Sequence, residues 1–246
     1  MRTPFQTPMR NLTNRVAEGC RERRGTRRKQ ETRARLLQAA LLLLSERNIE
    51  RVAINEITEA ADVGFGSFYN HFGSKEGLVT ALIDWAFEDF ADRLDGIAHG
   101  LSDPAEVIAI SVRHTLLRAQ REPVWGRLLM REGLSTRALT RGLGLRLLRD
   151  SRRGLAAKRF VVSDPLTSVL SVIGTVLAGV AAELHFAAAP ATAQRSQRAA
   201  AVRIEHLAER AAVFVLQALG VKRAEAERIA QLPLPAVREG DAAAAV

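Results

Sequence analysis

The apolar positions of this chain recur at helical spacing almost throughout, and the breaks between them mark out ten predicted helices. From about Lys29 to Arg47, Leu36, Ala40, Leu43 and Leu44 share one face at i, i+4, i+7 and i+8, and Asn48 suits the left-handed position that ends a helix. A short second helix is expected from about Ile54 to Ala61, with Ile54, Ile57 and Ala61 inward. Asp62-Val63-Gly64 reads as a turn, and Gly66 to Phe72 as a third short helix closed by Gly73. Ser74 is a good N-cap for a fourth helix reaching about Leu94. That helix carries two neighbouring apolar seams, Leu78/Leu82/Trp85 and Val79/Ile83/Phe87/Phe90/Leu94. The first should rest on the three helices before it and the second on the C-terminal body, so it can connect the two.

The remaining boundaries are set by caps and prolines. Asp103-Pro104 starts the fifth helix, Glu122-Pro123 a sixth ending near Glu132, and Ser135 caps a seventh ending near Gly154. Ser163-Asp164-Pro165 opens an apolar eighth helix. After an Ala/Pro/Thr-rich break at 188–193, a ninth runs from about Arg195 to Leu219 and a tenth from Arg223 to Gln231. Strand-like alternation is almost absent. The predicted architecture is all-α: residues 29–77 form a three-helix domain and 78–235 a larger helical domain, flanked by a disordered arm (1–28) and a frayed tail (236–246).

Charge changes this picture at one end only. The net charge is +9, yet residues 1–35 hold eleven Arg or Lys against Glu18, Glu22 and Glu31, a net +8. Such a concentrated basic segment is a footprint for phosphate, less often for anionic lipid, or else a solvated tail. Cys20 is the only cysteine, which excludes an internal disulfide and a Cys-based zinc site and fits a reducing cytoplasm. The first 25 residues lack the apolar stretch of a secretory signal, and Met9 offers an alternative start. Leu166 to Phe186 is nearly long enough to span a bilayer, but Ser168, Ser171, Thr175, Glu183 and His185 interrupt it, and a core or interface helix is expected.

Three closely spaced helices with a tight turn between the second and third form a helix-turn-helix pattern. Phe68 and Phe72, at i and i+4, should anchor the third helix. That leaves Phe65, Gly66, Ser67, Tyr69, Asn70 and His71 on or near the other face. Gly64, Gly66 and Ser67 let the helix N-terminus, with its unpaired N–H groups, come close to a phosphate. The run Gly66, Ser67, Phe68, Tyr69, Phe72, Ser74, Lys75, Glu76 resembles the DNA-binding domain of the TetR family of bacterial regulators, and the likeness extends over Gln30 to Leu78. It departs at Ala53, where a capping Thr is usual, at Thr58, where Ala is usual, and at Asp62, where the turn carries Gly. The resemblance implies an all-α homodimer on a palindromic operator in a bacterial cytoplasm, with Tyr69, His71 and Lys75 on phosphates and a small-molecule ligand in the C-terminal domain. Lys75 opposes the dipole of its own helix, which favours a phosphate over a structural role. Phe65 has two readings, a thymine-methyl contact or packing on the second helix; Asn70 is a candidate for base contact.

In the larger domain, Ser171, Thr175 and Gly179 form a small-residue stripe on the eighth helix. Ile204, Leu207, Ala211, Phe214 and Ala218 form a coiled-coil-like seam on the ninth. Two such helices from each of two chains would make a four-helix dimer interface; the alternative is that both seams pack within the chain. His114, Trp125, Glu183 and His185 are the candidate groups to orient a ligand, and Arg149 to Arg153 read as a solvated face. No cofactor or metal site is expected, and no catalytic constellation stands out. The expected function is a sequence-specific transcriptional repressor released from its operator by a ligand. The competing reading is a basic architectural protein without ligand control.

Overall fold

The computed structural model describes residues 9–47, 51–187 and 206–236, with only the backbone path given for 9–24. Asn48, Ile204 and the first half of the predicted ninth helix therefore lie outside the described residues. All regular elements among the described residues are helical. They are α1 (Met9–Glu46), α2 (Ile54–Ala60), α3 (Phe65–Phe72), α4 (Lys75–Ile83), a π-helical turn (Asp84–Glu88), α5 (Asp89–Ala98), α6 (Pro104–Arg121), α7 (Pro123–Glu132), α8 (Thr136–Thr140), α9 (Gly142–Ala156), α10 (Pro165–Ala187), α11 (Leu207–Ala218) and α12 (Arg223–Ala230).

The first difference from expectation is α1. It begins at Met9, twenty residues before the predicted start, so residues 9–28 are helix and not a disordered arm. No proline falls between Pro8 and Pro104, Arg, Leu and Glu are strong helix formers, and a helix already fixed at 29–46 adds residues at its end without a new nucleus. Met9, Leu12, Val16 and Cys20 recur there at helical spacing, a short apolar stripe outweighed by the arginines around it.

The three-helix domain closes as the pattern predicts. Leu36, Leu37, Ala40, Val52, Ile57, Phe68, Leu78 and Leu82 make its core. Each departure from the family pattern has a local replacement. Ala53 cannot accept a cap bond, but the Glu56 carboxylate accepts the Ala53 N–H at 2.9 Å and pairs with Arg47 at 2.6 Å. Hydrogen bonding to Ala53 and Arg47 holds the Glu56 carboxyl below its ordinary range. Thr58 is buried and returns its hydroxyl to the Asn55 carbonyl. Asp62 adopts φ 50°, which its short polar side chain tolerates, and Arg35 donates to both its carbonyl and its carboxylate. At the far side of α3, Gly73 takes φ 69° and Ser74 caps α4 by accepting the Gly77 N–H.

The predicted fourth helix is one helical path with a π turn in it. A π turn inserts a residue, so everything after it is rotated back relative to a continuous α-helix. Trp85, predicted to rest on the three-helix domain beside Leu78 and Leu82, is consequently 36% exposed. Phe87 and Phe90 face inward and meet Trp125 edge-on. The predicted seventh helix is also broken: Arg141 is extended and Gly142 has φ 52°, which separates α8 from α9. A Cβ on Gly142 would sit 3.2 Å from that of Phe87, so the break lets the chain pass close over the π turn.

α6 is the central helix of the larger domain, packed against α7, α9, α10, α11 and α12. α10 is, among the described residues, the one helix long and apolar enough to cross a membrane, and much of it is uncovered. The predicted small-residue and coiled-coil seams divide between two faces. Gly179 is buried against Leu116 and Ala211 is buried, so both serve packing within the chain. Ser171 is exposed, Thr175, Leu207 and Ala218 are half-buried, and Phe214 is 60% exposed.

Candidate functional site

Two features stand out, one at each end of the π-broken helix. The first is the outer face of α3. Phe68 is fully buried and Phe72 half-buried, which fixes the helix and turns Phe65, Gly66, Tyr69 and Asn70 to solvent. The Phe65 and Tyr69 rings meet edge-on at 5.3 Å on this exposed face, so Phe65 is not absorbed by α2. Ser67 and His71 are half-buried at its margin, and Lys75 stands half-buried on the first turn of α4. The structure therefore gathers all seven sequence-predicted residues on one short helix and the turn after it. It adds two that periodicity did not single out. Lys29 and Arg33 of α1 lie near enough to act electrostatically on His71, and the Arg33 guanidinium sits 5.6 Å from the centre of the Phe72 ring.

Burial, Lys29 and Arg33 together hold the His71 imidazole below its ordinary pKa. The uncomplexed site therefore sets a histidine with a depressed pKa in the positive field of Lys29 and Arg33. A phosphate beside it would stabilise the cation, so binding takes up a proton. If this face binds duplex DNA, affinity should accordingly increase as pH falls towards and below the ordinary histidine pKa of about 6.5. His71→Gln should flatten that part of the profile when the dissociation constant is followed by fluorescence anisotropy. Affinity that instead weakens towards acid in the native chain would remove His71 from the contact.

The second feature is a partly open cavity of about 110 Å³ bounded by the π turn, α5, α6, α7, α8, α9 and α10. Most of its wall is aliphatic, with Phe87, Leu94, Ile108, Val112, Leu143 and Val176 among the lining residues. Ser111, Thr115, Asp95, Arg146 and Asp150 supply its polar part. Arg146 donates from Nε to Asp95 at 2.9 Å and from Nη1 to Glu88 at 2.8 Å, and also contacts Asp92. Arg149 bridges Asp95 at 2.6 Å and Asp150 at 2.9 Å. Burial pushes the Asp95 carboxyl up, but bonds from Arg149 and Arg146 outweigh it and hold it below the usual range. The same bonds, from Asp95 and Asp150, raise Arg149. Asp95 and Asp150 are therefore fixed acceptors, and Arg146 a fixed donor, at the edge of an apolar hollow.

None of the four sequence-predicted ligand residues lines this cavity. Trp125 is in the core, its indole N–H bonded to the Ala86 carbonyl at 2.9 Å. His114 is half-buried on another face of α6, bonded to the Pro235 backbone, and burial depresses its pKa. Glu183 is buried, which raises its carboxyl, and His185 is exposed. The residues that do meet there include Asp150 and, behind it, Arg149, from the stretch read as a solvated face; Arg152 and Arg153 are exposed as expected. The available signal was Asp150 itself, in helical register with Leu143 and Leu147, a charge at a core position.

Residues 36–82 match the family described as bacterial regulatory proteins, tetR family, and residues 103–232 match the tetracyclin repressor-like C-terminal domain. The crystal structure of RolR in complex with resorcinol is 33% identical, covers 86% of this chain and is itself 99% covered, with a TM-score of 0.59. The HTH-type transcriptional repressor KstR2 of Mycobacterium tuberculosis H37Rv is 34% identical over 73 residues, 28% of this chain and 36% of that protein. An HTH-type transcriptional regulator of Bacillus subtilis 168, YvdT, is 31% identical over 87 residues, 35% of this chain and 45% of that protein. The chain thus spans less than half the length of these two curated relatives.

Proposed function

The chain belongs to the TetR family of bacterial regulatory proteins, and from that premise we propose that it is a dimeric cytoplasmic repressor released from a palindromic operator by a small hydroxylated aromatic compound. Tyr69, His71 and Lys75 hold phosphates, with Lys29 and Arg33 adding to the field, while Asn70 and Phe65 meet base edges. Leu166, Leu170 and Phe214, all about half-exposed or more on the packed pair α10 and α11, are the apolar surface a second copy would cover.

The observation that carries the effector is the cavity. At about 110 Å³ it is somewhat smaller than the roughly 150 Å³ apolar hollow that holds benzene, which limits the occupant to about one ring. Ligand hydroxyls would donate to Asp95 and Asp150, whose carboxylates have acceptor capacity beyond their arginine bonds, and accept from Arg146. RolR, whose structure holds resorcinol, a benzene with two hydroxyls, supports the same class.

Selection from random DNA tests the reading. The native chain should enrich a two-fold site bound at least ~10³ times more tightly than random sequence. Resorcinol or another dihydroxybenzene should then release that site, and Asp95→Asn should blunt the release. Equal affinity for every sequence would leave an architectural DNA-binding protein instead.

A further inference from the structure

α1 has a direction. Its C-terminal end is tied to the larger domain, where Arg131 of α7 donates to the Leu44 carbonyl at 2.8 Å. Its middle runs beside the reading helix, where Lys29 and Arg33 act on His71. Continued backwards as a single helix, residues 9–28 therefore leave the body and project beyond the α3 face. At 1.5 Å per residue, this stretch is about 30 Å long, equal to about nine base pairs at 3.4 Å each. Its sequence, from Arg10 to Arg28, carries seven arginines against Glu18 and Glu22. Arg27 and Arg28, where side chains are described, are exposed.

We propose that this helical extension is a second DNA-binding element, lying along the phosphates of the duplex that flanks each half-site. The inference rests on the reading of α3 as the DNA-contacting helix, and it makes two further commitments: the partner is duplex DNA outside the operator, and the contact is independent of sequence. Charge complementarity and continuity with the α3 face support it. Met9, Leu12, Val16 and Cys20 share one face over the first three turns, but Arg21 to Arg28, the part nearest α3, carries five arginines against Glu22 and no large apolar residue, which favours phosphate.

The test compares the full chain with a full-length variant carrying Arg21→Gln, Arg23→Gln, Arg24→Gln, Arg27→Gln and Arg28→Gln, changes that keep helix propensity. Two duplexes are used: the selected operator trimmed to its half-sites, and the same operator with about 12 base pairs of unrelated sequence on each side. The native chain should bind the long duplex about tenfold or more tightly than the short one at about 0.1 M salt. Its salt slope should be steeper on the long duplex by ~0.9 for each phosphate engaged. The variant should bind both duplexes alike, and the short one as the native chain does, with unchanged helicity and melting. A native chain that gains nothing from the flanks, or a variant that keeps the gain, overturns the proposal. So does a native-versus-variant difference seen only on vesicles of phosphatidylserine. If the native chain shows no sequence preference on either duplex, the operator reading fails, and the flank-dependent gain still decides the role of the extension.

Discussion

Replacing Trp125 with alanine should destabilise the fold by about 3–5 kcal/mol, the range for truncating a large buried aromatic. The side chain is 2% exposed and joins four separate interactions. Phe87 and Phe90 meet it edge-on with ring centres at 6.0 and 5.3 Å, and the Arg118 guanidinium lies 4.6 Å from the ring. Burial depresses Arg118, and Glu122 counteracts that, so the cation is kept over the ring by an ion pair at 3.1 Å. The indole N–H also donates to the Ala86 carbonyl, inside the π turn, where the regular i to i+4 ladder is interrupted. Phenylalanine preserves an aromatic ring but removes the indole bond to that carbonyl, so Trp125→Phe should cost about 0.5–1.5 kcal/mol for the bond. Urea unfolding at fixed protomer concentration separates the two. A phenylalanine variant as stable as the native chain would show that the indole bond does not hold the π turn.

The three-helix domain was legible because its signals are local and chemical. Phe68 and Phe72 four apart, Gly73 where the backbone turns left-handed, and Ser74 as cap each dictate a conformation within a few residues. Even the departures at Ala53 and Asp62 are compensated by charged groups, Glu56 and Arg35, within reach of the same short elements. The cavity was not legible because its polar edge is assembled from Asp95 on α5 and Arg146 and Asp150 on α9, which no sequence spacing brings together. His114 and Trp125 drew attention by residue type, whereas their partners, Pro235 and Ala86, give them packing roles. The N-terminal extension of α1 was hidden by its charge: Met9, Leu12, Val16 and Cys20 recur at helical spacing, but seven arginines from Arg10 to Arg28 read as a solvated arm. The π turn was equally invisible, and Trp85, which lies within it, is the residue of the predicted seam that is exposed.

That turn also sets the last expected result, a reciprocal coupling between effector and operator that passes through Phe87. Upstream, α4 is fixed to the three-helix domain by Leu78 and Leu82, both fully buried. Downstream, Phe87 lines the cavity, and the next residue, Glu88, accepts the Gly142 N–H at 2.9 Å and the Arg146 guanidinium at 2.8 Å. A ligand that draws Arg146 or Asp95 towards its hydroxyls therefore pulls on the helical path that carries the reading head. Two heads on one operator must sit about one helical turn, ~34–36 Å, or a multiple of it apart, so a small displacement loses a half-site. By linkage, operator DNA must weaken the effector by the same factor that the effector weakens DNA, typically ~5- to 150-fold. Phe87→Ala removes the wall that senses the ligand and leaves Leu78, Leu82 and the α3 face in place. It should reduce the coupling towards unity while the ligand-free protein keeps operator affinity within a few-fold of native. The measurement is a calorimetric titration of the effector with and without saturating operator, on the native chain and the variant. Native effector affinity that is equal in the two titrations would mean that the cavity does not control the DNA face. Coupling undiminished in Phe87→Ala would place the route elsewhere, and the direct alternative is α7, which lines the cavity with Leu129 and holds the end of α1 through Arg131.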